Sequence, residues 1–159
     1  MKLDFTEIEL LRFAGELAMQ MKRSFQVAID VYGDEVVVMT DKQKLQQILF
    51  ILIDNARKYS DPGSPITISV KQNASDVTLS VQDRGIGIPP EDLPHIFERF
   101  YRVTKDRNRK TGGTGLGLSI ATQLADAIHA KLSAESTVGV GTTIHVTIPV
   151  LLEVSQYEN

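Results

Sequence analysis

The chain has no cysteine among its 159 residues. That absence excludes disulfides, thiolate catalysis and sulfur-ligated zinc, and fits a reducing compartment. An excess of one charge is also missing. Seventeen Lys and Arg stand against 20 Asp and Glu, a formal net charge of -3, so the overall balance carries no signal for nucleic acid. Long apolar runs are absent. The longest, Ile48 to Ile53, is far below the roughly 20 residues that span a bilayer, and the opening Met1-Lys2-Leu3-Asp4 has no apolar stretch of signal-peptide type. The length predicts one domain, 1–159, large enough for a packed core without staples.

What is present is regular patterning. Ile8, Leu11, Phe13, Ala14 and Leu17 fall at helical steps and predict a helix from Thr6 to about Met21. A strand is expected near Gln26 to Tyr32, with Val36 to Met39 as its hairpin partner across the Tyr32-Gly33-Asp34 turn. Thr40, with Gln43 three residues on, offers a cap for a helix reaching about Tyr59. The apolar stripe of that helix is Leu45, Ile48, Leu49, Leu52, Ile53 and Ala56. Ile66, Ile68 and Val70, then Val77, Leu79 and Val81, alternate as two strands of a hairpin. Leu93, Ile96, Phe97, Phe100 and Tyr101 follow helical spacing again. A polar, basic, glycine-ended stretch from about 102 to 114 predicts a mobile lid. A helix from about Leu116 to Ile128 and strands near Leu132 to Thr137 and Thr142 to Val150 complete the pattern. The order predicts an α/β two-layer sandwich, a mixed and mostly antiparallel sheet packed against helices.

Three segments carry chemistry. On the second long helix, positions 51, 55, 58 and 59 share one face. Asn55 there offers a hard neutral oxygen for magnesium, Lys58 an ammonium for phosphate and Tyr59 a ring for a purine. Alone, this is an ordinary solvated helix end. Asp83, in Asp83-Arg-Gly-Ile-Gly-Ile-Pro89, continues the inward parity of Val77, Leu79 and Val81. A buried carboxylate needs a hydrogen-bond partner, and the exocyclic amine of adenine would serve; parity turns Thr142 inward beside it. Alone, this segment is good turn chemistry. Gly113, Gly115 and Gly117 form neither a Walker loop nor a dinucleotide fingerprint. They lie between a basic loop and a helix start, where free amides favour phosphate. Arg99, Arg102, Lys105, Arg107, Arg109 and Lys110 read as a solvated loop or a phosphate lid rather than a nucleic-acid surface, because no aromatics interleave them after Tyr101. Arg102 is the candidate to neutralise a γ-phosphate.

With these segments in this order, the chain resembles the catalytic ATP-binding domain of bacterial sensor histidine kinases, within the superfamily that includes gyrase, Hsp90 and the MutL proteins. Asn55, Lys58 and Tyr59 match the family's N box, and Asp83, Gly85 and Gly87 its G1 box. Phe97 and Phe100 match its F box, and Gly113, Gly115 and Gly117 its G2 box. The resemblance implies the Bergerat sandwich with three helices, ATP and Mg²⁺ as ligands, Asn55 on the metal and Asp83 on adenine. It implies Asn55, Lys58 and Arg102 as catalytic, with Ile88, Tyr101, Thr114, Leu116 and Thr142 joining the boxes around the nucleotide. It implies as partners a dimeric histidine phosphoacceptor domain of the same parent and, indirectly, a response regulator. A cytoplasmic location follows, with the parent anchored in the inner membrane or free, and no contact of this domain with membrane or nucleic acid.

Two departures stand out. Ile51 replaces the asparagine usual in histidine kinases and the glutamate usual in the superfamily's ATPases; an aliphatic chain cannot act as a general base, so hydrolysis should be poor. A degenerate nucleotide-binding module and a superfamily ATPase are the alternative readings. Ile128-His129-Ala130 stands where the family has His-Gly-Gly, a change expected to cost roughly 1 kcal/mol at a left-handed helix end. His95, His129 and His145 lack the setting of the family's phosphoacceptor, which is therefore expected on another segment along with the sensor.

Overall fold

The computed structural model describes residues 2–101 and 117–150. The lid expected at 102–114, with Arg102, Gly113, Thr114, Gly115 and Leu116, lies outside the described residues.

The N-terminal helix is shorter at its start than the periodicity predicts. Phe5–Glu9 is a strand, β1, and helix α1 is Leu10–Phe25. Thr6 and Ile8 are β-branched and pair with Thr40 and Val38 of β3, Val37–Asp41, and the Glu9 carboxylate accepts from the Arg12 N–H at 2.6 Å, which sets the helix start one residue later. The expected hairpin between β2, Ile29–Gly33, and β3 does not form. β2 runs parallel to β4, Ile66–Gln72, while β3 and β1 make a separate two-stranded sheet. Gly33 permits the close approach to β4: at φ +139° a Cβ there would lie 2.2 Å from the Val70 carbonyl oxygen. Asp34 then accepts from the Gln72 N–H at 2.8 Å, fastening the exit of β2 to β4.

Helix α2, Lys42–Tyr59, ends where expected. Its cap is Asp41 rather than Thr40: the Asp41 carboxylate accepts from the N–H groups of Lys44 and Asp4 at 3.0 and 2.8 Å, whereas the Thr40 hydroxyl is buried without a partner among the described residues. All six residues of the predicted stripe are buried. β5, Asp76–Gln82, forms the expected hairpin with β4. Helix α3, Gly117–Ala127, and strands β6, Lys131–Thr137, and β7, Gly141–Pro149, follow.

The main sheet has the order β2-β4-β5-β7-β6, parallel only between β2 and β4. One face of it carries Ile66, Ile68, Val70, Val77, Leu79, Val81, Ile144, Val146 and Ile148, which join Leu45, Leu49, Leu52 and Ile53 of α2 in one core. Among the described residues three α-helices cover that face, so the fold is a mixed, mostly antiparallel α/β sandwich. The expected helix around Phe97 reduces to a single 3₁₀ turn, Leu93–His95. Pro94 sits inside it, and Phe100 takes φ +64° and stays exposed, so the spacing there reflects no helix, although Ile96 is buried and Phe97 packs half-buried against the core.

Candidate functional site

The inner face of the sheet changes character at one end. Along β7 the buried residues are Ile148, Val146, Ile144 and then Thr142; along β6 the same parity gives Leu132, Ala134 and then Ser136, which pairs with Thr142. Asp83 follows Val81 at the matching end of β5. Its N–H donates to the Thr142 carbonyl at 2.8 Å, and the Thr142 N–H donates back to its carboxylate at 3.2 Å. The apolar rows therefore end in a polar row of Asp83, Thr142 and Ser136. Asp83 is 5% exposed. Burial pushes its carboxyl up to about 6, against the lowering pull of the Thr142 and Gly85 N–H groups, and the nearby Asp61 charge adds to the rise. The site thus holds a carboxylate that is short of solvent and poised for a donor.

The loop after Asp83 is strapped on two sides, and its glycines are there for that reason. At Gly85 a Cβ would lie 1.8 Å from the Tyr59 carbonyl oxygen, Gly85 bridges to Ser60, and the Asp61 N–H donates to the Arg84 carbonyl at 2.9 Å. This brings the end of α2 against the Asp83 loop. At Gly87, φ +74°, a Cβ would lie 2.3 Å from the Thr137 carbonyl oxygen, so the loop also presses on the β6–β7 turn. There the Ile88 N–H donates to the Ser136 hydroxyl at 2.7 Å and the Gly139 N–H to the Ile86 carbonyl at 2.9 Å.

The face of α2 predicted from spacing is present, with Ile51, Asn55, Lys58 and Tyr59 all half-buried beside the core stripe. Lys58 reaches Asp54 at 3.2 Å, and Arg57 holds the same carboxylate at 2.8 Å. Ile51 meets the start of α3, where a Cβ on Gly117 would lie 3.6 Å from its Cγ2. Tyr101 donates its hydroxyl to the buried Asp92 and stacks on His95 at 5.2 Å between ring centres. Asp83, Gly85, Gly87, Ile88, Tyr59 and Thr142 are brought together, and Asn55 stands one helical turn before Tyr59. A cavity of about 900 Å³ lined by Leu17, Met21, Gln47, Phe50, Ile51 and Ile120, among others, includes neither Asn55 nor Asp83.

Residues 40–152, which contain every one of these segments, match the family model of histidine kinase-, DNA gyrase B- and HSP90-like ATPases. The chain belongs to that family. It is 42% identical over 146 residues to the sensor histidine kinase YkoH of Bacillus subtilis, covering 91% of this chain and 32% of YkoH. To the sensor histidine kinase WalK of the same organism it is 46% identical over 117 residues, 72% of this chain and 19% of WalK. Among solved structures it superposes on the mycobacterial sensor histidine kinase MprB with a TM-score of 0.79 at 25% identity, over 92% of this chain and 98% of that one. The chain thus spans a third or less of the curated relatives it matches, and it shares the fold of a histidine-kinase ATP-binding domain. ATP binding is the property that membership of this ATPase family carries.

The residues present suit the ligands of such a domain. The Asn55 carboxamide offers a hard oxygen from the half-buried face of α2, which fits a magnesium ligand. Ser136 was not singled out by sequence reasoning, although the period of two along Leu132 and Ala134 leads to it by the same parity that led to Thr142.

Proposed function

We propose that the chain is one ATP-binding catalytic domain that binds Mg-ATP and transfers the γ-phosphoryl group to a histidine on a separate, dimeric phosphoacceptor domain of the same parent protein. The observation that carries this reading is the buried Asp83 carboxylate beside Thr142, strapped through Gly85 to the helix end that presents Asn55, Lys58 and Tyr59.

In this reading Asp83 accepts from the exocyclic amine of adenine, while Tyr59 and Ile88 flank the base. Asn55 holds Mg²⁺, which when bound neutralises phosphate charge. Lys58 exchanges its Asp54 partner for a phosphate oxygen, a charge-assisted contact that replaces a partly exposed ion pair of little worth within the same helix. Arg102 and the lid amides around Gly113, Thr114, Gly115, Leu116 and Gly117 steady the transferring group, with Tyr101 at the near end of the lid. The histidine nitrogen attacks γ-phosphorus, the bond to the bridging oxygen breaks, and ADP leaves. Positioning and charge neutralisation suffice for such a transfer. No carboxylate stands at position 51, so water is not activated and transfer is favoured over hydrolysis. The phosphoryl group then passes to a response regulator, in two-component signalling, as the names of the relatives support. The reading places the domain in the cytoplasm; no helix among the described residues is long and apolar enough to cross a membrane.

Calorimetric titration with a non-hydrolysable ATP analogue, with and without magnesium, is the first test. Magnesium-dependent binding is expected, weakened roughly tenfold or more in Asn55→Ala, together with phosphoryl transfer to an added histidine domain. No binding at millimolar analogue would overturn the reading. Steady phosphate release without transfer would favour a superfamily ATPase instead.

A further inference from the structure

The Ser136 hydroxyl lies within hydrogen-bond distance of three groups: the Ile88 N–H at 2.7 Å, the Gly141 carbonyl at 3.0 Å and the Thr142 hydroxyl at 2.8 Å. A serine hydroxyl has one proton and two lone pairs. The Ile88 N–H can only donate, so it takes one lone pair. The Gly141 carbonyl can only accept, so it takes the proton. What remains on Ser136 is a single lone pair, and Thr142 can meet it only as donor. The one proton on the Thr142 hydroxyl is thereby committed to Ser136, and the oxygen keeps nothing but lone pairs.

We propose that Ser136 is a positioning residue for base recognition: by claiming the Thr142 proton it holds Thr142 as an acceptor beside Asp83, so that the site takes a 6-amino purine and rejects a 6-oxo purine. The inference rests on the nucleotide reading above. Both side chains at the end of the polar row then accept. The Asp83 carboxylate accepts when ionised, and Thr142 accepts through the lone pairs left to it. An exocyclic amine brings N–H donors to this pair. A 6-oxo purine brings a carbonyl oxygen to the same place, acceptor against acceptor, and a buried acceptor without a donor is costly.

Ser136 also pins Ile88, on the far side of the Asp83 loop from Gly85, so a purely architectural role would predict something different. Loosening the loop would weaken every purine nucleotide alike. Releasing the Thr142 proton would let that hydroxyl turn and donate, weakening the amine-bearing base while favouring the oxo base. The ratio between the two separates the roles.

The test is calorimetric binding of ADP and of inosine diphosphate to the whole chain at pH 8, where Asp83 is ionised. In Ser136→Ala the preference for ADP over inosine diphosphate should fall by roughly threefold to tenfold, the worth of one ordinary hydrogen bond. Ser136→Thr, which keeps the hydroxyl, should retain the native ratio. Ser136→Cys keeps the volume with a weak hydrogen-bonding group and should behave like the alanine variant, so that the ratio can be read even if alanine compromises folding. An unchanged ratio in the alanine and cysteine variants, with affinity for both ligands intact or equally reduced, would overturn the role of Ser136 and leave the nucleotide reading standing. Failure of the native chain to bind ADP would remove both.

Discussion

Asp83 shows how far a fold can move the chemistry of one side chain. Burial raises its carboxyl from the ordinary 3.8 to about 6, so the folded chain binds that proton more tightly than the unfolded chain does. The free protein accordingly loses stability as pH rises from about 4 through 6, by a total of about 3 kcal/mol once the group is ionised. Asp83→Asn removes the titration. Its stability relative to the native chain, from urea unfolding without nucleotide, should therefore improve from about pH 4 to just above pH 6 and level off beyond that. Binding should run the other way. Adenosine, which does not titrate in this window, should bind the native chain more tightly as pH rises from 5 to 7.5, with the rise centred near 6, because the ionised carboxylate is the better acceptor. The asparagine variant should show a weaker and pH-independent affinity in the same titration. At this scale the sequence announced the residue, through the parity of Val77, Leu79 and Val81, but not its proton affinity, which comes from the segments that close over it.

Elements here are set by their ends as much as by their periodicity. α3 closes with the Ala130 N–H donating to the Ala125 carbonyl at 2.8 Å, a bond that requires His129 to adopt φ +64°. That left-handed position suits glycine, and a histidine there is held at a cost in backbone strain. His129→Gly should raise stability by about 1 kcal/mol in thermal or chemical unfolding, with the Phe5 ring, 6.5 Å from the imidazole, losing only a loose contact. A drop of similar size would show that the contact outweighs the strain. The outer face of the sheet accounts for His145, which bridges Ser80 and Glu135 at 2.6 Å each, opposite in parity to the core as expected. The sequence misled at two helix ends, where α1 starts after a strand because Glu9 caps it and α2 is capped by Asp41, and also at the stretch around Phe97, which is no helix, and at β3, which pairs with β1 instead of forming a hairpin with β2. Caps depend on single side chains that several nearby residues could supply, so spacing alone leaves them open.

Across the whole molecule, the core joins α2 to the inner sheet face through fully buried side chains, and the polar row of Asp83, Thr142 and Ser136 sits at its rim. Leu52, 1% exposed at the centre of that core, should lose roughly 2–5 kcal/mol on conversion to alanine, a large share of the stability typical of such a chain. Urea unfolding should show the midpoint falling with the slope unchanged; a loss below 1 kcal/mol would mean that the helices slide to refill the space. By itself the sequence determined the long amphipathic helix, the alternation of β4, β5, β6 and β7, the inward turn of Asp83 and Thr142, and the order of motifs that carries family membership, because each is a local period or a local run of residue types. Only the tertiary structure decided that β2 lies parallel to β4, that β3 leaves it for β1, and that Ser136 completes the polar row. Partners in a sheet are chosen by contacts between segments far apart in the chain, and a proton's place in a hydrogen-bond network depends on all the groups that the fold brings to it.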